Sequence, residues 1–216
     1  GSLSVSELKM EENTILENLG RVEIKPASDG FSPSHDMKGQ FINRGNALLA
    51  ETKQLNIGSE PTADHKVEAK FHTEAGAQTS FADASVKTGS ELKNEGQESG
   101  KNLVVEKLAA YLITSRGESV WEDVRLEGNA TISGGKLQVT TGFLRVENGA
   151  TLLNDGGTIH AHLIDESHVI GTIINKGEAR FNQLTLSEGS ESHNYGYQVG
   201  KLLLVRSDST GHNNYE

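Results

Sequence analysis

The chain has no cysteine, 3 prolines and an aromatic content of only 5%. Without cysteine there is neither a disulfide framework nor a thiolate metal site, which fits the cytosol and equally a bacterial protein that must stay unfolded during export. No apolar run is long enough to cross a bilayer, so membrane insertion is not expected. The 24 glycines and the hydrophobic content of 34% are typical of a soluble, turn-rich protein.

Charge of both signs is spread along the chain, with an acidic excess. The 30 acidic and 20 basic residues give a formal net charge of −10. A nucleic-acid partner is therefore not expected, and we interpret the excess as a solvated exterior. The length of 216 residues suits one domain, 1–216. Gly1 and Ser2 resemble a tag scar, and no signal peptide follows them, so the chain is compatible with a fragment of a longer protein.

An apolar-x-Asn-x-Gly motif recurs along the sequence. The last copies are separated by about 20 residues, a decayed copy falls at Asn213, and "TEAG" at 73–76 looks like a worn one. The interval from Asn94 to Asn154 predicts two or three further units. The complete copies are Asn18 with Gly20, Asn43 with Gly45, Asn94 with Gly96, Asn154 with Gly156, Asn175 with Gly177, and Asn194 with Gly196.

Alternation around the motif indicates strands rather than helices. Side chains alternate between the two faces of a strand, so an inward Asn175 puts Ile173 on the same face and Lys176 in solvent. Downstream, "TIHAHL" predicts Ile159, Ala161 and Leu163 inward. We expect each asparagine to bond its own turn and to stack on the next one, about 4.8 Å away. We expect each motif glycine to supply a corner with a positive φ.

These features predict an all-β fold, a right-handed parallel β-helix with about three strands per coil and coils of about 19 to 25 residues. Loop excursions are expected in the N-terminal half, at 25–39 and 56–65, where the prolines lie. Residues 6–16 are compatible with a short helix within an N-terminal cap, and 101–115 is predicted as strands rather than a helix. The expected parts are a cap (1–17), irregular coils (18–100) and regular coils (101–216).

The repeats, most clearly over 145–206, resemble those of filamentous haemagglutinins and other two-partner-secreted or autotransporter passenger proteins of Gram-negative bacteria. The resemblance implies a right-handed β-helix that is secreted or exposed at the bacterial cell surface. It implies an adhesin, a host-cell-binding protein or the shaft of a toxin. The expected partner is a host-cell receptor, a glycan or a second copy of the chain.

Enzymes of the pectate-lyase class also use a parallel β-helix, which makes a polysaccharide-acting enzyme the main alternative, with a cleft between the loops 25–39 and 56–65. Such catalysis requires carboxylates on neighbouring coils to hold Ca²⁺. The aspartates do not align in this way, since Asp155 corresponds to Lys176 and Tyr195 on later coils. We therefore predict no catalytic residue, no cofactor and no metal site.

His160 and His162 share one outward face about 7 Å apart, which is half of a metal site, but their predicted neighbours Arg180 and Asn182 do not suit a cation. Trp121 is expected in the core. The leading hypothesis is a non-catalytic binding or structural module, and a host-delivered effector scaffold is a further alternative.

Overall fold

The computed structural model describes residues 1–25, 35–49, 54–59, 68–114, 116–206 and 210–213, and this part of the chain forms strands and no helix. The strands are, in chain order, β1 (Ser2–Val5), β2 (Lys9–Met10), β3 (Ile15–Asn18), β4 (Arg21–Ile24), β5 (His35–Met37), β6 (Gln40–Asn43), β7 (Asn46–Leu49), β8 (Leu55–Ile57), β9 (Lys70–Thr73), β10 (Gln78–Phe81), β11 (Asp83–Val86), β12 (Glu91–Asn94), β13 (Gln97–Val105), β14 (Ala110–Ile113), β15 (Glu118–Leu126), β16 (Asn129–Ile132), β17 (Lys136–Val139), β18 (Leu144–Val146), β19 (Thr151–Asn154), β20 (Thr158–Ala161), β21 (Ser167–Val169), β22 (Thr172–Asn175), β23 (Glu178–Leu186), β24 (Glu191–Asn194), β25 (Tyr197–Val205) and β26 (Thr210–Asn213).

All of these strands pair in parallel and form three walls of a solenoid. The asparagine wall is a sheet of 10 strands, β3, β6, β9, β12, β14, β16, β19, β22, β24 and β26. The second wall consists of β1, β4, β7, β10, β17 and β20, and the third of β2, β5, β8, β11, β18 and β21. The long strands β13, β15, β23 and β25 run through both of these walls and join them into a sheet of 16 strands. The result is a β-solenoid of about 9 turns, which confirms the predicted fold class.

The side chains alternate between core and solvent along each short strand. In β12, Leu92 and Asn94 are buried while Lys93 faces outward. The register then places like residues on like, because Phe41 pairs with Phe71 and their rings stack with centroids 4.7 Å apart. Each coil therefore buries its apolar face only by lying on its neighbours, as in other solenoids.

Aromatic rings fill the core behind the second wall. Phe81, Gly100 and Trp121 follow one another in a single inward column, and the rings of Phe81 and Trp121 stack at 5.5 Å. The indole lies over Gly100, where an added Cβ would be 2.2 Å from Trp121. Trp121 is fully buried, which confirms the prediction that it belongs to the core.

The structure settles the two ambiguous segments. Within 101–115, β13 and β14 confirm the strand prediction. The helix predicted for 6–16 is wrong, because Leu8 and Met10 are buried on either side of the exposed Lys9 and thus follow a period of two. Asn13, with φ 59°, then turns the chain before β3.

Coil spacing is more regular in the C-terminal half than in the N-terminal half, where the first two steps of the asparagine wall are 25 and 30 residues. Asn154, Asn175, Asn194 and Asn213 pair in register. The interval from Asn94 to Asn154 holds three units, with Ile113 and Ile132 at the asparagine position. The worn "TEAG" copy is displaced by one residue from its predicted alignment, because Thr73 pairs with Asn94.

The expected N-terminal excursions are only partly described. Residues 26–34 and 60–65 lie outside the described residues. The ends of the predicted loops are strands instead, since β5 and β8 occupy 35–37 and 55–57 in the third wall.

Candidate functional site

The motif asparagines lie in one buried column at the corner that follows the asparagine wall. The side chain of Asn175 illustrates their bonding. Its Nδ2 donates to Oδ1 of Asn194 at 2.7 Å and to the carbonyl of Tyr197 at 3.2 Å, while its Oδ1 accepts from the Gly177 N–H. Asn18, Asn43 and Asn94 likewise link their own turn to the following coil, whereas Asn154 bonds the following coil while its buried Oδ1 has no partner among the described residues. The buried members are Asn18, Asn43, Asn94, Asn154, Asn175 and Asn194.

The column of asparagines is interrupted in the middle of the molecule. Direct amide-to-amide bonds join Asn18 to Asn43 and Asn154 to Asn175. Over the intervening coils, Thr73, Ile113 and Ile132 occupy the same position. Asn43 therefore donates to Thr79 Oγ1 at 2.8 Å, and Asn94 to Ser119 Oγ at 2.7 Å. The repeat has diverged most in these central coils.

The role predicted for the motif glycines is wrong for five of the six. Gly156 has a φ of 79°, but Gly20, Gly45, Gly96, Gly177 and Gly196 do not have positive φ. They are required because the backbones of successive coils meet there. A Cβ on Gly177 would lie 2.2 Å from the carbonyl oxygen of Gly157, and one on Gly196 would lie 2.3 Å from that of Gly177. Close approach, rather than an unusual dihedral angle, explains the motif.

Gly76, Gly134 and Gly156 have positive φ in the corner that follows the asparagine wall, and a second positive-φ position lies in the turn that precedes this wall. Gly89, Gly149 and Gly189 occupy it with φ of 80°, 81° and 76°. Leu108 occupies it in one coil, with φ 60° and a side chain that is 79% exposed. A left-handed conformation is costly for leucine, so this turn carries local strain.

A buried polar cluster lies beneath the gap in the asparagine column. Glu98 is fully enclosed behind the second wall, and its two carboxyl oxygens accept from Thr73 Oγ1 at 2.9 Å and from Tyr111 OH at 3.2 Å. Trp121 Nε1 donates to the Tyr111 oxygen at 3.2 Å. Burial raises the pKa of Glu98 to about 7, while the bonds from Thr73 and Tyr111 oppose this shift. Burial, with the nearby Glu98 carboxyl, also raises the pKa of Tyr111.

Two loops protrude at the corner between the second and third walls. Residues 140–143 connect β17 to β18, and residues 162–166 connect β20 to β21, whereas the long strands cross this corner without a break. Phe143 is 45% exposed and Leu163 is 56% exposed. Loops on a rigid scaffold are common places for ligand recognition. An open cavity of 330 Å³, the corner cavity, is lined by Gly142, Phe143, Arg145, Asp165, Glu166 and His168.

The walls of the corner cavity are held by neighbouring coils. The Phe143 N–H donates to Asp123 Oδ1 at 2.7 Å, which fixes the first loop. Arg145 Nε lies 2.9 Å from Glu147 Oε1, and the same oxygen is 3.1 Å from Nε of Arg125. These contacts hold Arg145 at the edge of the corner cavity, which Phe143 also lines.

Further contacts hold the second loop and the far wall of the corner cavity. Asn182 Nδ2 donates to the carbonyl of Asp165 at 3.3 Å, which ties the second loop to the next coil. His168 Nε2 lies 2.5 Å from Ser187 Oγ. The cavity thus combines a flat apolar ring with a guanidinium and two carboxylates, groups that can bind a ligand rich in hydroxyls.

The histidine pair lies just before the second loop. The rings of His160 and His162 are 5.4 Å apart, and His160 pairs with Arg180 as predicted. Burial, and then the charges of Lys136, His162 and Arg180, lower the pKa of His160. The surroundings therefore oppose a cation. The inward position predicted for Leu163 is wrong, since β20 ends at Ala161 and the loop carries Leu163 into solvent.

The described ranges hold no group of three or more His, Cys, Asp or Glu side chains that could bind a metal ion. Asp155 lies beside Lys176, 3.4 Å from its Nζ, as the repeat alignment predicts. The cleft of the enzyme alternative falls largely on residues outside the description. Among the residues that the structure describes, no helix has the length and apolar character needed to cross a membrane.

Sequence reasoning did not identify the corner cavity. Its residues carry no motif, and only one signal was available: the coil from Ile132 to Asn154 is longer than the two coils directly before it, which marks an insertion. Glu98 was also missed, because an acidic residue at an inward position is unexpected in an alternating pattern.

No protein-family model, no curated protein and no solved structure matches this chain.

Proposed function

We propose that this chain is a non-catalytic binding module of a secreted or surface-exposed bacterial protein, and that it binds a host-cell glycan in the corner cavity. The observation that carries the proposal is the pair of loops at 140–143 and 162–166, which bring the exposed Phe143 to one cavity with Arg145, Asp165 and Glu166. The resemblance of the repeats to secreted adhesins supports the assignment to a bacterial surface.

The scaffold favours binding by a preformed site. The first loop is fixed through Asp123 and the second through Asn182, and both of these residues lie in long strands that belong to two walls. A site whose groups are already in place loses little conformational entropy when a ligand binds. A shallow, preorganised site is suited to recognition on an extended surface.

The chemistry of the cavity favours a glycan over an apolar partner. The exposed ring of Phe143 offers a flat surface to the apolar face of a sugar, and the carboxylates of Asp165 and Glu166 accept hydrogen bonds from hydroxyl groups. Arg145 supplies a donor on the same side. A flat hydrophobic protein interface would instead have few charges at its centre.

The proposal is tested by measuring the binding of the purified chain to a glycan array and to cultured host cells. Phe143→Ala is expected to weaken binding at least about tenfold, since an aromatic anchor dominates small interfaces. Tyr195→Ala is the matched control, because Tyr195 is an aromatic residue that is 54% exposed and lies outside the cavity. Unchanged binding by Phe143→Ala, or equal losses in both variants, would overturn the proposal.

The surface location is tested separately with the full-length gene. We expect the protein in the culture medium or on the surface of the producing cell, where an added protease can reach it. Confinement to the cytoplasm of the producing cell would contradict the proposed location and favour another role for the solenoid.

A further inference from the structure

Glu98 is a carboxyl group in the centre of the solenoid, with 3% of its surface exposed. It lies on the inner column of the second wall, between Thr79 of β10 and Ser119 of β15. Its surroundings shift its protonation through burial and through the hydroxyls of Thr73 and Tyr111, with no contribution from a cation. An unpaired buried charge is costly, so the hydrogen bonds must offset that cost or the group must take up a proton.

One chain of hydrogen bonds reaches Glu98 from the asparagine wall. Nδ2 of Asn43 can only donate, and it donates to Thr79 Oγ1 at 2.8 Å. Thr79 Oγ1 is 2.8 Å from Thr73 Oγ1, which in turn donates to Glu98 Oε1. The hydroxyl of Thr79 therefore donates to Thr73, and all three bonds point toward the carboxyl group.

A second chain arrives from Trp121 and has two complete arrangements. When Glu98 is ionised, Trp121 donates to the Tyr111 oxygen and the Tyr111 hydroxyl donates to Glu98 Oε2. When Oε2 carries a proton, it donates to the Tyr111 oxygen, and the Tyr111 hydroxyl turns to Ser119, with which it also interacts. The cluster therefore accommodates either state with a rotation of hydroxyl groups.

We propose that the Glu98 cluster is a pH-dependent switch: the central coils are most stable when the carboxyl is protonated and less stable when it ionises. The switch acts on β9, β10, β13, β14 and β15, which supply the side chains around Glu98. It acts on stability and is independent of the proposed glycan site.

The groups that face Glu98 determine the direction of the effect. They are Thr73 from β9, Thr79 from β10, Tyr111 from β14, and Ser119 and Trp121 from β15, and among these only Tyr111 titrates. Burial raises the pKa of Glu98 from 4.5 to about 7 in the folded state. The folded state therefore binds the proton more tightly than the unfolded state does. The resulting stabilisation is complete when the pH is below the pKa of Glu98 in the unfolded state. It is lost as the pH rises through the pKa of Glu98 in the folded state.

The test compares thermal unfolding of the wild type and Glu98→Gln at about pH 5 and about pH 8. The wild type is expected to melt at a lower temperature at the higher pH. Glu98→Gln, a neutral isostere, should lose most of that difference. Glu118→Gln is the control, because Glu118 lies on the neighbouring strand but is exposed and paired with Lys136, and it should keep the wild-type difference.

A second measurement keeps the proposal falsifiable if Glu98→Gln does not fold. In wild-type protein labelled with ¹³C at the glutamate carboxyl carbons, one resonance should titrate near pH 7, and amide exchange in β10, β13 and β15 should accelerate over the same range. The proposal would be overturned if every glutamate titrated near its ordinary value of 4.5, or if Glu98→Gln retained the full pH dependence.

Discussion

The side-chain amide of Asn175 donates to Oδ1 of Asn194 over 2.7 Å, which ties two coils together across 19 residues of sequence. The same oxygen of Asn175 that receives the amide of Asn154 also accepts from the Gly177 N–H within its own turn. The side-chain oxygen thus satisfies the Gly177 N–H, while the flanking amides of Lys176 and Glu178 donate to carbonyl groups of the preceding coil. With the bond from its Nδ2 to the Tyr197 carbonyl, four bonds at one side chain make this corner sensitive to substitution.

Asn175→Ala should lower the free energy of unfolding by about 1 to 3 kcal/mol, because buried donors and acceptors on both adjacent coils lose their partners. Lys176→Ala is the matched control. Lys176 faces solvent and pairs with the equally exposed Asp155, so its loss should cost less than about 1 kcal/mol. Chemical denaturation measures both values. Equal effects would show that the asparagine is not a buried link.

Gly177→Ala should destabilise the protein strongly, since the new methyl group would lie 2.2 Å from the carbonyl oxygen of Gly157 and could fit only if the coils separated. Gly200→Ala provides the comparison. Its nearest neighbours, the backbone oxygen and Cβ of Phe181, would be at ordinary contact distances of 3.6 and 3.8 Å. Melting temperatures should fall for the first variant and change little for the second. A harmless Gly177→Ala would contradict the close approach of the coils.

Leu108→Gly should stabilise the protein by about 1 kcal/mol, because it removes the cost of a left-handed leucine. The turn itself is the same as at Gly149: Ala109 donates to the Glu106 carbonyl at 3.0 Å, just as Ala150 donates to that of Glu147. Leu108→Ala is the control, because alanine keeps the strained φ. If the two variants had equal stability, the strain at this turn would be refuted.

In the Tyr111→Phe variant, the pH at which stability is lost should move to a higher value. The Tyr111 hydroxyl lowers the pKa of Glu98, so its removal raises that pKa further above about 7. The stabilisation present below the unfolded pKa should then persist to a higher pH before it is lost. Trp121 Nε1 also loses its acceptor, which should cost about 1 to 3 kcal/mol at every pH.

Emission from Trp121, the single tryptophan, reports unfolding across the pH series for this variant. Tyr195→Phe changes an exposed residue and should behave like the wild type. A Tyr111→Phe midpoint at or below the wild-type pH would contradict the arrangement of the cluster.

The sequence was sufficient to predict the fold because the repeat is local. A strand pattern such as that of "IINKG" places Ile173 and Asn175 inward from alternation alone, and the regular spacing indicates that copies stack. The reason why the motif requires glycine could not be predicted from the sequence in the same way. A close approach between Gly157 and Gly177 is a property of two coils in register, whereas a positive φ is the usual reason for a glycine at a turn.

The corner cavity and the Glu98 cluster could not be predicted from the sequence, because each is formed by residues from different coils. Phe143 and Glu166 belong to different coils and meet only because both insertions fall at the same corner. Glu98 meets Thr73 and Tyr111 across the interior, between different walls. Alternation specifies which face a side chain occupies but not what lies opposite it.

The most direct test of the proposed function is chemical-shift mapping of a ¹⁵N-labelled sample with the glycan that binds best on the array. The account predicts that the perturbed amides cluster in 142–145 and 163–168, on the two loops and the strand starts that follow them. Perturbations centred instead on the outward residues of the asparagine wall, such as Leu112, Leu153 and Ile174, would contradict it.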